Sequence, residues 1–522
     1  MTAERQHWDV VIVGTGFGGS MTALQLAQAG KSVLLIDRGR WVDRDESAWD
    51  TNAILIDRKY KSRTAYEAPQ FPVRRLMYPN DAIGGNSVFY GAASLRLREA
   101  DFERRSRFPD SASHHGIVDW PIKYDELQPY YEEAERLLGV AGVRGVDPTE
   151  PPRTTDYVCE PPPYGSPAKR IVRAAEALGL RPFQLPLAIN FGGNNGRNRC
   201  IQCMTCDLYP CKLGAKNDLS VAVLPAAMQS GAVVRGQTVA INLRIERDRV
   251  TGVECVDLTT GEPFAVSCDV AVVSAGAIAS PKILIASGLG SLPNGDLIGR
   301  YLMRHCSGIV IGVCPFDANP EQMFHKQVAI TDFYFGGPAK PAGPWGILQA
   351  LQVPPAEYME QEGPFPVNRI GPWTVKKQIY LLAIAEDVPN PSNRVTIHPS
   401  ERDPFGVPIA SIHHRYDRRD FAARRALYRQ GARILRNAGA WFRFRKPIYS
   451  FSHAVGSCRF GTDPATAVLD PHCKMFGVKN LFIVDGSFMP TSGGVNPSLT
   501  IAANALRVGR HMAQNWSAYA PS

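Results

Sequence analysis

One stretch near the start of the chain, DVVIVGTGFGGSMTALQLAQAGKSVLLID over residues 9–37, restricts the fold more than any other. Asp9 to Val13 reads as a buried strand that runs into Gly14-x-Gly16-x-x-Gly19. A helix with apolar spacing is predicted from Ser20 to Ala29, and a second apolar strand from Ser32 to Ile36 ends on Asp37. Each residue has a physical reason to be there. Gly14 makes the tight turn, Gly16 lets a pyrophosphate approach the backbone, and Gly19 allows close packing of helix on strand. The helix N-terminus then faces the phosphate charge. Asp37, 23 residues after Gly14, is placed to accept from a ribose hydroxyl, and an acid there argues against a phosphorylated ribose. The expectation is an α/β, Rossmann-like dinucleotide domain. FAD and NAD are both open on these residues, and the absence of a second fingerprint favours one tightly held dinucleotide.

At 522 residues, with 44% hydrophobic and 20% charged residues, the chain has core enough for two or three domains. The formal charge of +9 invites a nucleic-acid reading, but the basic residues are interleaved with acids, as in HHRYDRRDFAARRALYRQ at 413–430. That run reads as the solvated face of a helix, so no nucleic-acid partner is expected. A cationic surface can still attract an anionic partner. The first apolar run is too short for a signal peptide, and no run of eighteen apolar residues exists, so no membrane span is expected. A cytoplasmic location follows as the expectation, with the eleven cysteines as thiols or ligands and not disulfides.

Three further segments carry a resemblance: AIGGNSVFYGAASLR at 82–96, SAGAIASPKILIASG at 274–288, and the long C-terminal run from His453 to Gly509. Together with the fingerprint they resemble the glucose-methanol-choline (GMC) family of FAD-dependent oxidoreductases in identity, order and spacing. The resemblance spans Asp9 to Gly509 and is weakest between about 315 and 445. It implies that the loop with Gly85, Asn86, Ser87 and Gly91 runs along a flavin, and glycines bracketing small residues suit a backbone lying flat on a ring. Val270 to Ala275 reads as a short strand with a Gly276 turn, and Ser280-Pro281 as a helix start. Val233 to Val239 resembles the strand that passes the adenine. Leu481 to Asp485 reads as a strand whose Asp485-Gly486 turn, by resemblance, contacts the phosphate and ribityl region. Asn496-Pro497-Ser498-Leu499-Thr500 opens the closing helix, its N-terminus toward the flavin pyrimidine ring.

The family's catalytic histidine lies in a His-x-x-Gly-[Ser/Thr]-Cys segment, here His453-Ala-Val-Gly456-Ser457-Cys458, and its partner some forty residues later falls on Asn496. The resemblance implies that His453 takes the hydroxyl proton as hydride leaves for flavin N5, while Asn496 holds the substrate oxygen. Cys458 reads as a packing residue. The expected function is FAD-dependent oxidation of a CH–OH group on a sugar-like or polyol alcohol, with oxygen, a quinone or a redox protein as acceptor. A GMC-fold lyase with non-redox FAD and a non-catalytic flavin electron carrier are the alternatives.

Cys200, Cys203, Cys206 and Cys211 fall within CIQCMTCDLYPC, one residue off a ferredoxin spacing. Some GMC sugar and polyol dehydrogenases carry such a group on an iron-sulfur cluster. An iron-sulfur cluster, structural or free thiols, and zinc are the three readings. The expected architecture is a Rossmann-like FAD-binding domain of the GMC fold from residues 1–100, 211–310 and 446–522. An α+β substrate domain on an antiparallel sheet is expected from 101–210 and 311–445, including the cysteine-bearing loop.

Overall fold

The apolar runs of the fingerprint form the middle of a seven-stranded sheet. A computed structural model describes residues 7–71, 73–109, 116–193, 196–324, 326–337, 340–341 and 343–521. Strand His7–Val13 lies between Val33–Ile36 and Pro263–Val273, with Val233–Arg235 outside the second strand, all parallel. Leu481–Ile483 joins Pro263–Val273 in parallel, and Arg249–Asp257 and Thr238–Glu246 extend the sheet as an antiparallel meander. Val10, Val11 and Ile12 are fully buried, as a β-branched run covered on both faces should be.

Several boundaries differ from expectation, among them the short strand expected from Val270 to Ala275, which is the end of the longer strand Pro263–Val273. The first helix is Phe17–Gln28 and not Ser20–Ala29, so Gly18 and Gly19 lie inside its first turn. A Cβ on Gly19 would sit 1.9 Å from the Gly14 carbonyl oxygen, and one on Gly18 2.4 Å from that of Val484, so this turn can press onto the strands only without side chains. The stretch 233–239 is two strands, broken at Gly236 and Gln237, where Gln237 takes φ +50°. A second helix boundary concerns Pro281. The helix is Gly276–Ala286, and Pro281 lies inside it rather than at its start. Proline has no N–H for the carbonyl four residues back, that of Ala277. The buried Ser457 hydroxyl donates to that carbonyl at 2.6 Å instead. A residue of the histidine segment therefore repairs the helix next to it.

The second sheet has six strands, all antiparallel, in the order Phe442–Pro447, Gly308–Val313, Gln378–Ala385, Gly346–Leu351, Val328–Ile330, Phe183–Gln184. Helix Arg418–Asn437, from the basic run, lays Ala423, Leu427, Gly431 and Leu435 on this sheet and keeps Arg418, Arg425 and Arg429 in solvent. A four-stranded sheet joins Arg394–Arg402 and Pro408–His413 to Tyr66–Phe71 and Val73–Met77. The closing helix Ser498–Gln514 packs on Phe17–Gln28, where a Cβ on Gly509 would come within 3.0 Å of the Gln25 Cβ. Among the described residues no helix is long and apolar enough to cross a membrane.

Ser457→Ala should leave the Ala277 carbonyl buried without a donor. Urea unfolding with FAD at fixed excess should show a loss of about 1–3 kcal/mol at unchanged m-value.

Candidate active site

The segment around His453 has no helix or strand of its own, and its backbone is held from two sides. Val455 and Met303 exchange both N–H···O bonds at 2.9 Å, while the N–H groups of Gly456, Cys458 and Phe460 donate to the carbonyls of Gly486, Ser487 and Phe488 at 3.0, 2.8 and 2.9 Å. The Met303–Val455 bridge is antiparallel, so the residues two steps away on either side, His305 and His453, face each other. Their Nδ1 atoms are 3.0 Å apart, and the rings stand at 88°. On its other side His305 Nε2 lies 3.1 Å from the carbonyl oxygens of both Ser492 and Gly493. Asn496 comes from the same turn, and its Nδ2 is 3.3 Å from His453 Nε2. His453 and Asn496 are thus brought together. His305, 148 residues from His453, is the neighbour that sequence reasoning missed.

Burial is the main influence that drives the His453 pKa well below its ordinary 6.5, reinforced by His305 and the Lys326 ammonium. His305 is also lowered, chiefly by burial and against the pull of Asp387. Asp387 accepts the backbone N–H groups of Arg304 and His305 at 2.8 and 3.0 Å and lies 3.3 Å from His414 Nε2. Burial opposes its charge, but these hydrogen bonds and the neighbouring histidines hold its carboxyl below the usual range.

The residues expected to hold a dinucleotide come from several separate segments of the chain. Gly14 takes φ +103°, and a Cβ on Gly16 would meet no atom within 4 Å, so the outer face of the turn is open. The first turn of the following helix has no side-chain cap and no acid, which leaves its N–H groups for an anion. Asp37 accepts from the Thr15 and Gly39 amides at 2.8 and 2.7 Å and from the Thr15 hydroxyl at 2.5 Å, which leaves acceptor capacity for a ribose. Gly85 rests on this turn, a Cβ there lying 3.3 Å from the Gly16 Cα. Asn86 is exposed, whereas Ser87 turns inward, donating to the Gly84 carbonyl and accepting from the Leu219 amide. Asp485 accepts from the Gly276 and Ser487 amides at 2.9 Å and from the Ser280 hydroxyl, and Ser280 in turn accepts the Ala275 amide. Val239 pairs with Val256 in the meander, and Gly486 carries the carbonyl that receives Gly456. Pro497 precedes the closing helix, which also lacks a side-chain cap, and Thr500 is bound to the Tyr131 hydroxyl at 2.7 Å. Among the described residues the buried Asn496 Oδ1 has no partner. An open glycine turn, two uncapped helix starts and an orphaned amide oxygen fit a bound FAD.

The cysteine loop is organised differently from the expectation of a ligand set. Among the described residues, the one trio of potential ligand atoms within 4.8 Å of one another is Glu67, His398 and Glu401, so no three of the sulfurs of Cys200, Cys203, Cys206 and Cys211 stand close enough to share one metal ion. In that trio His398 Nδ1 accepts the Glu401 amide at 2.8 Å, so its hydrogen sits on Nε2 toward Glu67 and the ring offers no bare nitrogen. A lysine gathers the cysteine loop instead. The buried Lys216 ammonium donates to the carbonyls of Cys206, Tyr209 and Tyr90 at 2.8, 2.7 and 3.0 Å, using all three hydrogens. The loop is thereby tied to the segment expected along the flavin. Gly91 there has a second reason to lack a side chain, since a Cβ would sit 1.9 Å from both Asp207 Oδ1 and Lys326 Nζ, an ion pair at 3.0 Å. All eleven cysteines are unpaired, and Cys458 is fully buried with burial pushing its thiol up, as a packing residue should be.

Two family models described as GMC oxidoreductase match residues 9–307 and 389–505. Similar curated proteins include 6'''-hydroxyparomomycin C oxidase of Streptomyces lividus, 33% identical over 99% of this chain and 93% of that protein. Paromamine 6'-oxidase of Streptomyces fradiae is 32% identical over 97% and 91%. The 2-methyl-1,2-propanediol dehydrogenase of Mycolicibacterium austroafricanum is 26% identical over 99% and 97%. Among solved structures, pyridoxine 4-oxidase from Mesorbium loti superposes with a TM-score of 0.69 at 19% identity, covering 97% of this chain and 99% of that one.

If Lys216 holds the loop, Lys216→Met should strand three buried carbonyls. The variant should lose at least about 2 kcal/mol and become open to proteases within 197–211. Wild-type protein should keep its protease resistance after chelation and show no stoichiometric iron, sulfide or zinc by elemental analysis.

Proposed function

This chain belongs to the GMC oxidoreductase family and is an FAD-dependent oxidoreductase of CH–OH groups, and we propose that His453 takes the substrate's hydroxyl proton while Asn496 holds its oxygen. The observation that carries the assignment is the 3.3 Å separation of His453 Nε2 and Asn496 Nδ2 at the uncapped start of the closing helix. Two atoms at that spacing can both reach one hydroxyl oxygen at ordinary hydrogen-bond length. Bound FAD supplies the acceptor for the hydride of the alcohol carbon. A neutral alcohol is a poor hydride donor and an alkoxide-like one is good, so the protein's task is to draw off the proton as the hydride leaves. His453 accepts that proton at Nε2. Asn496, which does not titrate, donates Nδ2–H to the oxygen and fixes its direction. The depressed pKa of His453 keeps the ring neutral, and so competent as a base, at neutral and mildly acidic pH.

We propose a hydroxyl-rich alcohol, a sugar, polyol or aminosugar, as substrate. The named oxidases on paromomycin-type aminoglycosides and the diol dehydrogenase support this class. So does the Asp207–Lys326 pair beside Gly91, whose charges offset each other and whose Asp207 Oδ2 is a buried acceptor without a partner. The same two oxidases support oxygen as the acceptor. Eleven unpaired thiols favour a reducing compartment such as the cytoplasm. No three of the four sulfurs lie within 4.8 Å of one another, as ligands of a single ion would, and no electron relay is assigned to them.

His453→Ala should retain FAD and slow anaerobic flavin bleaching by an alcohol about 10²- to 10⁴-fold, and Asn496→Ala should slow it without removing a titration. A base with a lowered pKa loses function only as pH falls through that lowered value. The acid limb of bleaching against pH should therefore lie below 6.5, and a midpoint at or above 6.5 would count against this assignment. Aerobic turnover of a panel of sugars, polyols and aminosugars should release one hydrogen peroxide per carbonyl formed. Turnover that requires an added quinone or dye would overturn the oxygen assignment.

A further inference from the structure

We propose that His305 is the positioning residue that sets the tautomer of His453, keeping its hydrogen on Nδ1 and leaving Nε2 bare toward the substrate. The inference rests on the reading of His453 as base. It starts from the outer end of the chain of contacts. His305 Nε2 faces two carbonyl oxygens, of Ser492 and Gly493, each at 3.1 Å. Carbonyls only accept, so Nε2 must carry a hydrogen. In a neutral imidazole the other nitrogen is then bare, so His305 Nδ1 is an acceptor. Across 3.0 Å it meets His453 Nδ1, and a single hydrogen must lie between the two. That hydrogen belongs to His453. Its Nε2 is consequently the bare nitrogen, and the neighbour at 3.3 Å, Asn496 Nδ2, is a donor that matches a lone pair.

The arrangement tolerates no other neutral assignment. With the hydrogen of His453 on Nε2, two lone pairs would face each other at the 3.0 Å contact, and a donor would face the Asn496 amide hydrogens. With His305 protonated on both nitrogens, two hydrogens would collide there unless His453 also changed its tautomer. The surroundings keep both rings uncharged and fixed. His305 is 1% exposed, holds φ +61°, and has its amide on Asp387 and its carbonyl on the Tyr416 hydroxyl at 2.7 Å. The charged groups acting on the pair are Asp387 and Glu386 from the second sheet's side and Lys326, itself paired with Asp207. His305 also joins the two parts of the site. One nitrogen holds the ring of His453, and the other holds the turn three to four residues before Asn496.

The test uses the FAD-loaded protein. With ¹⁵N-histidine labelling, the His453 resonances, assigned by their loss in His453→Gln, should report a protonated Nδ1 and a bare Nε2 in the oxidised enzyme. A protonated Nε2 overturns the proposal whatever the kinetics. In parallel, His305→Leu removes the acceptor at similar volume, while His305→Asn keeps an acceptor oxygen near the place of Nδ1. A base held in the wrong tautomer can lose up to about 10⁴-fold. His305→Leu should therefore bleach its flavin about 10- to 10³-fold more slowly at unchanged FAD content, and His305→Asn should recover to within about 5-fold of wild type. Equal slowing in both, or no slowing in His305→Leu, would overturn the proposal. If His305→Leu does not retain FAD, the resonances of the wild-type enzyme decide. If His453→Ala bleaches at the wild-type rate, the base assignment fails, and the tautomer measurement still judges His305.

Discussion

The site depends on a backbone constraint more than on any side chain. Residues 455–460 form no regular element, yet they are paired with Met303 on one side and with Gly486 to Phe488 on the other. The second partner leaves the parallel sheet through Leu481–Ile483, and the first leads two residues later into His305 and then the antiparallel sheet at Gly308. The segment is therefore a seam between the two sheets. Buried amides without partners cost enough that such a seam can be occupied in essentially one register. A slip by one residue would turn His453 away from Asn496.

Buried polar groups then lock what the seam aligns. Asp485 closes the turn at Gly276 onto the turn at Ser487, Asp387 fixes the amides of Arg304 and His305, and Lys216 gathers three carbonyls. Each has several hydrogen-bond partners, as a buried polar group requires. Ser457 belongs to the same set, since its hydroxyl restores the bond that Pro281 removes from the helix of residues 276–286.

Much of this was legible in the sequence. The strand, glycine turn, helix and acid of residues 9–37 declared the parallel sheet, because Gly14, Gly18 and Gly19 lie where a side chain would strike backbone. His453 and Asn496 were recognisable as candidates because their segments resemble the GMC family's His-x-x-Gly-[Ser/Thr]-Cys run and its partner some forty residues later. Other features obey no spacing rule. His305 is distant in sequence and sits where the chain crosses the seam. The one local signal was a polar Arg304-His305 pair directly ahead of the apolar strand Gly308–Val313, where buried polar groups require partners. Pro281 was misplaced because proline usually marks a first turn, a rule that yields when another residue supplies the missing donor. The cysteine density of 200–211 suggested ligands, but the ammonium of Lys216 supplies the cohesion, and a lone lysine has no signature.

The topology of the parallel sheet also sets an order of events during synthesis. Helix Phe17–Gln28 leaves the ribosome well before the helix that packs on it, Ser498–Gln514, and strand Pro263–Val273 well before Leu481–Ile483 beside it. At roughly 5 to 20 residues per second the earliest apolar surface waits tens of seconds for its cover. During that interval the face of helix Phe17–Gln28 that meets Ser498–Gln514 lies uncovered. Losing the last forty residues would therefore uncover helix Phe17–Gln28 as well as removing Asn496, and an arrested or prematurely terminated chain would be prone to aggregate rather than merely inactive.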